Sequence, residues 1–120
     1  MNHLKNKVNL IGRLGAQPEV MAFETGRKLV RFSLATNDRY KDKNGEWKED
    51  VQWHNITLWG KIAERAERIL DKGQEILLEG KISYQSFENN QGEKRYSTVI
   101  EGNDFLLLNK PSQESKYNEL

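Results

Sequence analysis

Val51-Gln52-Trp53-His54-Asn55-Ile56-Thr57-Leu58-Trp59 is followed, one glycine later, by Lys61 to Leu70, and between them the residue pattern changes period. In the first stretch odd positions share one face and even positions the other, as the two-residue repeat of a strand requires. In the second, Ile62, Ala66, Ile69 and Leu70 recur at helical spacing, which predicts one helix with one face turned inward. Lys72-Gly73 predicts its end, with a cation near the last carbonyls and glycine just beyond.

Upstream, Lys7 to Leu14 reads as a strand that stops at glycine, and Val20 to Phe23 extends it beyond a break at Pro18. Glu24-Thr25-Gly26 is turn chemistry. Lys28 to Thr36 alternates, with Val30, Phe32 and Leu34 on one face and Arg31, Ser33 and Ala35 on the other. Asn37 to Asp50 is long and charged, a protruding β-hairpin or loop. Its Asn44-Gly45 favours a hairpin turn because both residues tolerate positive φ. Downstream, Gln74 to Phe87 is a fourth strand with a bend at Gly80. Arg95 to Leu108 is a fifth, interrupted around Gly102-Asn103. The polar stretch from Asn109 to Leu120 reads as a short disordered tail after a single domain over 1–108. Three strands, one helix and two strands describe an all-β chain with one helix: an OB-fold, a five-stranded Greek-key β-barrel. That barrel binds ligands on the face of its second and third strands and through its rim loops.

A chain of 120 residues supports one core, and no apolar run approaches the ~18 residues of a membrane helix. Its start carries Lys5 and Lys7 inside a strand-like pattern and does not read as a secretion signal, so a cytoplasmic location is expected. The absence of cysteine excludes disulfides, thiolate metal sites and cysteine nucleophiles. Nineteen Lys and Arg against eighteen Asp and Glu leave a net charge of +1, so any binding of nucleic acid needs charge sorted by face.

The aromatics carry the functional argument. Trp53 and Trp59 share a face with Asn55 and Thr57, while Ile56 and Leu58 mark the core side. Six residues apart, they are separated by ~20 Å at ~3.3 Å per residue. In the fourth strand Ile76, Leu78, Ile82 and Tyr84 form the apolar set, and Phe87 shares parity with Lys81, Ser83 and Gln85. Large rings on polar faces either complete a core or subunit contact, or form a stacking platform. Every base presents a π-face, and duplex DNA hides those faces in its own stack, so such a platform selects single strands. Cations must then track the phosphates, and Arg31, Lys43, Lys61, Lys72 and Lys81 are the best placed.

Asn6-Lys7-Val8, Gly12-Arg13-Leu14-Gly15, Pro18-Glu19-Val20, Leu34-Ala35-Thr36, Trp53-His54, the run Trp59 to Glu64, Gly73 to Gly80 and Tyr96-Ser97-Thr98 together resemble the bacterial single-stranded-DNA-binding protein (SSB) family. The resemblance covers Asn6 to Leu108. It implies base stacking on Tyr40, Trp53, Trp59 and Phe87, a homotetramer, and His54 at a subunit contact. Trp47 falls where the family often has a non-aromatic residue, and reads equally as an added stacking site or a hairpin packing residue. Arg31 replaces a smaller polar residue. The family's acidic tip, which recruits replication and repair enzymes, has no counterpart in Lys116 to Leu120.

Three function classes follow. The first is a binder of single-stranded DNA in replication, recombination and repair, with no cofactor. The second is an assembly protein of the same fold, such as a primosomal accessory protein, and such relatives lack several stacking aromatics. The third is a metal nuclease, which needs clustered carboxylates. Here Asp and Glu are scattered, and His3 and His54 lie far apart in the chain, so neither an enzyme nor a metal site is expected.

Overall fold

The alternation between Lys28 and Trp59 does become one long ribbon. A computed structural model describes residues 4–109, which form β1 (Val8–Leu14), β2 (Glu19–Ala22), β3 (Lys28–Lys41), β4 (Trp47–Trp59), α1 (Lys61–Ile69), β5 (Glu75–Glu88) and β6 (Lys94–Asn109). β3 and β4 pair antiparallel in unbroken register from Leu29 opposite Trp59 to Lys41 opposite Trp47. Opposed residues share a face, so Val30, Phe32 and Leu34 meet Leu58, Ile56 and His54 on the core side.

The sheet order is β1-β5-β6-β4-β3-β2, and a second pairing of β1, with β3, closes it. β1 and β2 are the two pieces of the predicted first strand, parted ahead of Glu19, so six strands trace the five-stranded barrel of an OB-fold. Closure turns on Gly12. Just past it β1, still paired with β5 through Arg13 opposite Glu75, also takes up β3, with Arg13 opposite Ala35 and Leu14 opposite Leu34. A Cβ on Gly12 would run into the Ala35 carbonyl. The core under the crossing joins Leu14, Leu34, Ile56, Leu58, Ile76 and Leu78.

α1 packs on β3 and β4. Its buried face is Ala63 and Ala66, with Leu70 just beyond; Ile62 is partly buried. Ile69, expected inside, is exposed, because at about 100° per residue it lies well round the helix from Ala63 and Leu70. The helix ends at Ile69, earlier than Lys72-Gly73 implied, since Leu70 is already extended. Arg65 ties the helix to β6. Its guanidinium donates to the Asp104 carboxylate and the Phe105 carbonyl, both at 2.7 Å, and lies 4.3 Å from the Phe105 ring centroid. Lys28 on β3 reaches Glu67 at 2.8 Å.

Two ribbons run beyond the barrel. β1 covers β3 only as far as Ala35, and pairs with β5 only up to Gly80. The segment expected as hairpin or loop over Asn37 to Asp50 is therefore a two-stranded arm, and Tyr40 lies in a strand, not a loop. β5 and β6 form a second arm above Ile82 and Ile100. Tyr84, expected in the apolar set, is 75% exposed because it stands on this arm, where no third strand covers it. The interruption at Gly102-Asn103 is a bulge: Glu79 faces Asp104 and Gly80 faces Gly102, leaving Asn103 over on β6.

Both arms and the β2–β3 turn close the same way. The Asp42 amide donates to the Glu46 carbonyl and the Gly45 amide to the Asp42 carbonyl. Asn89 with Glu93 and Gly92, and Phe23 with Arg27 and Gly26, repeat those two bonds. Positive φ is confined to glycine among the described residues, Gly26, Gly45 and Gly92 among them. Of the Asn44-Gly45 pair only the glycine therefore uses it, and the expected hairpin turn is a three-residue loop closed by a glycine bulge. Residues 110–120, expected as a disordered tail, lie outside the described residues; Asn109, assigned to that tail, belongs to β6.

Gly12→Ala is expected to cost about 1–3 kcal/mol, the usual cost of forcing an extra carbon into a tight crossing, measured by chemical denaturation. Arg65's hydrogen bond, then that of the Phe105 amide, holds the Asp104 carboxyl below its ordinary value. The stabilisation is present above the ordinary carboxylate range and disappears as pH falls through the lower folded value. Asp104→Asn should accordingly flatten the acid limb of a stability–pH curve, and an unchanged limb contradicts the assignment.

Candidate nucleic-acid interface

The outer face of the β3–β4 ribbon takes the odd-numbered residues: Arg31, Ser33 and Ala35 opposite Thr57, Asn55 and Trp53. Of these, Arg31, Ser33, Asn55 and Thr57 floor an open groove of about 390 Å³. Ala16, Gln17 and Glu19 wall it on one side, and Gln85, Ser97 and Val99 from the β5–β6 arm on the other. Thr57, expected on a solvated face, is buried in that floor.

Trp53 stands along the ribbon from Asn55 and is 62% exposed. Gly15 seats it. A Cβ there would come within 2.5 Å of the six-membered ring, so any larger residue would displace the indole. Trp59, at the other end, is half-buried. Its ring stacks on Phe23 at 5.8 Å between centroids and 21° between planes, with the Arg27 guanidinium 4.6 Å from its centroid. Phe87 is exposed on β5, two residues from Gln85 and of the same parity, and opposite Arg95. Trp53, Trp59 and Phe87 thus each stand two residues along a strand from a residue lining the groove, Asn55, Thr57 and Gln85 respectively.

Tyr40 is exposed but stands apart. The register continues the core parity of Val30, Phe32 and Leu34 to it, opposite Lys48, so it occupies the other face of the ribbon from Trp53. Trp47 is exposed on the Trp53 face, directly opposite Lys41.

The predicted cations are scattered. Arg31 lines the groove but pairs with Glu19 at 3.0 Å. Lys43 is exposed in the β3–β4 turn, Lys61 opens α1, and Lys72 lies in the α1–β5 connection, its amide on the Gln17 side chain. Lys81 lines a separate groove of about 460 Å³ with Lys5, Lys7 and Glu79. His54 is half-buried, with Nε2 3.0 Å from the Thr36 hydroxyl. Among the described residues no cluster of His, Asp or Glu is placed to hold a metal ion.

Sequence reasoning missed Gln17 and Gln85 in the groove walls, Gly15 under Trp53, and the Phe23 and Arg27 contacts of Trp59. Parity with Phe87 was the available signal for Gln85. The others join segments far apart in the chain, for which no local pattern exists. Gly15→Ala should lift the Trp53 ring. In a protein retaining Trp53 as its sole tryptophan, the emission spectrum is expected to shift, and an unaltered spectrum contradicts the seat.

The sequence matches the Single-strand binding protein family over residues 5–108. It is 39% identical over 104 residues to Single-stranded DNA-binding protein 1 of Chlorobaculum tepidum, covering 86% of this chain and 64% of that protein. Identity to the Single-stranded DNA-binding protein of Neisseria meningitidis serogroup A is 39% over 110 residues, 92% of this chain and 63% of that one. The chain thus spans just under two thirds of the length of these relatives. Among solved structures, the Plasmodium falciparum SSB complex with ssDNA superposes with a TM-score of 0.80 at 31% identity, over 91% of this chain and 100% of that one. A deletion mutant of the single-stranded DNA binding protein from Thermus aquaticus gives 0.77 at 31% identity, over 89% and 52%. The OB-fold, the aromatic-flanked groove and these matches lead to one statement of kinship: this chain belongs to the single-strand binding protein family.

Proposed function

We propose that the chain binds single-stranded DNA with little sequence preference, stacking bases on aromatic side chains and holding phosphates with Lys and Arg. The observation that carries this reading is the strand parity that sets Trp53, Trp59 and Phe87 each two residues from a residue lining one groove, Asn55, Thr57 and Gln85. Stacking on such rings is worth ~1–3 kcal/mol per base whatever the base. The groove floor adds hydroxyl and amide groups from Ser33, Asn55 and Thr57, able to donate or accept toward any base edge.

Each ring has a distinct part. Trp53 offers its exposed indole; Trp59 acts with Phe23, whose ring widens the platform; Phe87 meets the strand from the arm. Tyr40, on the other face of its ribbon, takes a base where the strand passes around the edge of the arm. Arg31 exchanges Glu19 for a phosphate, while Lys43, Lys61, Lys72 and Lys81 serve the strand outside the groove. A path reaching them wraps the barrel, in keeping with a homotetramer in which His54 lies at a subunit contact. The role is protection of exposed strands in replication, recombination and repair in the cytoplasm, without catalysis. Aromatic side chains at all four stacking positions, and the likeness to a relative solved with ssDNA, weigh against the assembly-protein alternative.

Oligo-dT is expected to quench the tryptophan emission at low salt, and absence of quenching contradicts stacking. Affinity should fall with salt, with a log–log slope of about −0.7 per phosphate contact. Phe87→Ala should weaken binding by ~1–3 kcal/mol while leaving the denaturation midpoint unchanged, since the ring is exposed.

A further inference from the structure

Trp47 stands at the tip of the β3–β4 arm, 61% exposed. Continuous register places it on the same face of β4 as Trp53 and Trp59, and the three recur every six residues. At ~3.3 Å per residue that puts an indole about every 20 Å along one ribbon face. Two cations stand at the Trp47 ring, the Arg39 guanidinium 5.5 Å and the Lys41 amine 5.4 Å from its centroid. Neither forms an ion pair among the described residues, although Glu49 lies directly opposite Arg39. No other aromatic side chain packs against this indole among the described residues.

We propose that Trp47, Arg39 and Lys41 form a further nucleotide-binding station at the tip of this arm, taking one base of a single strand on the indole and the flanking phosphates on the two cations. The station rests on the stacking reading of the groove and extends it outward. A ring that merely packed the hairpin would be covered by the arm, and cations kept only for solubility would not gather at one indole. The combination is what a nucleotide needs: a π-face for the base and positive charge within reach of its phosphates. Glu49, on the same face, tempers the local field and keeps the station weaker than the groove.

Two full-length single-tryptophan proteins test this. Trp53→Phe with Trp59→Phe leaves Trp47 as reporter; Trp47→Phe with Trp59→Phe leaves Trp53. Each is titrated with long oligo-dT while anisotropy of a labelled strand reports binding. Quenching of both reporters is expected. Quenching of Trp53 with Trp47 emission unchanged overturns the station and leaves the groove reading intact; silence from both overturns both. In the otherwise native chain, Trp47→Ala should weaken binding of long oligo-dT about tenfold. Arg39→Gln with Lys41→Gln should reduce the steepness of the salt dependence by about 1.4, two contacts at ~0.7 each. Native affinity and native slope in these variants overturn the station as well.

Discussion

Everything in this molecule depends on the register of the β3–β4 ribbon. One alternation, held from Leu29 opposite Trp59 to Lys41 opposite Trp47, sends Val30, Phe32, Leu34, Ile56 and Leu58 inward and Trp47, Trp53 and Trp59 outward. A slip of one residue would bury the indoles and expose the core. The proposed binding face is therefore not an addition to the fold. The burial that stabilises the barrel is the same event that presents the rings.

The barrel also sets where the ribbons become free. β1 stops covering β3 at Ala35 and stops pairing with β5 at Gly80, so two arms continue alone. Isolated two-stranded ribbons are marginal in water, and these are supported by strands rooted in a closed barrel. Their three-residue turns share one hydrogen-bond pattern, and Asp42 and Asn89 reinforce it by accepting two backbone amides each through their side-chain oxygens. Tight turns of one type hold the arm registers, and hence the facing of Trp47 and Phe87, where no core does.

Much of this was legible in the sequence because it rests on periodicity. The switch from alternation to helical spacing after Trp59, the break before Glu19, the bend at Gly80 and the irregularity at Gly102-Asn103 all have local signatures. The parity of Trp53, Trp59 and Phe87 followed directly. The arms were harder to see. Asn37 to Asp50 is charged on both faces because both faces meet solvent, so the amphipathic pattern that marks a strand is missing. Tyr84 misled for the converse reason: an apolar parity continues past the point where the barrel ends. Gly15 beneath Trp53, Phe23 and Arg27 at Trp59, and Glu19 on Arg31 are tertiary contacts that no single segment announces.

In the proposed binding mode a single strand lies on the outer face of β3 and β4, against Trp53 and Phe87. Photo-cross-linking of 5-iodouracil-substituted oligonucleotides, followed by peptide mapping, addresses it directly. Adducts at Trp53 and Phe87 are expected. Adducts confined to the separate groove lined by Lys7 and Lys81 would contradict it.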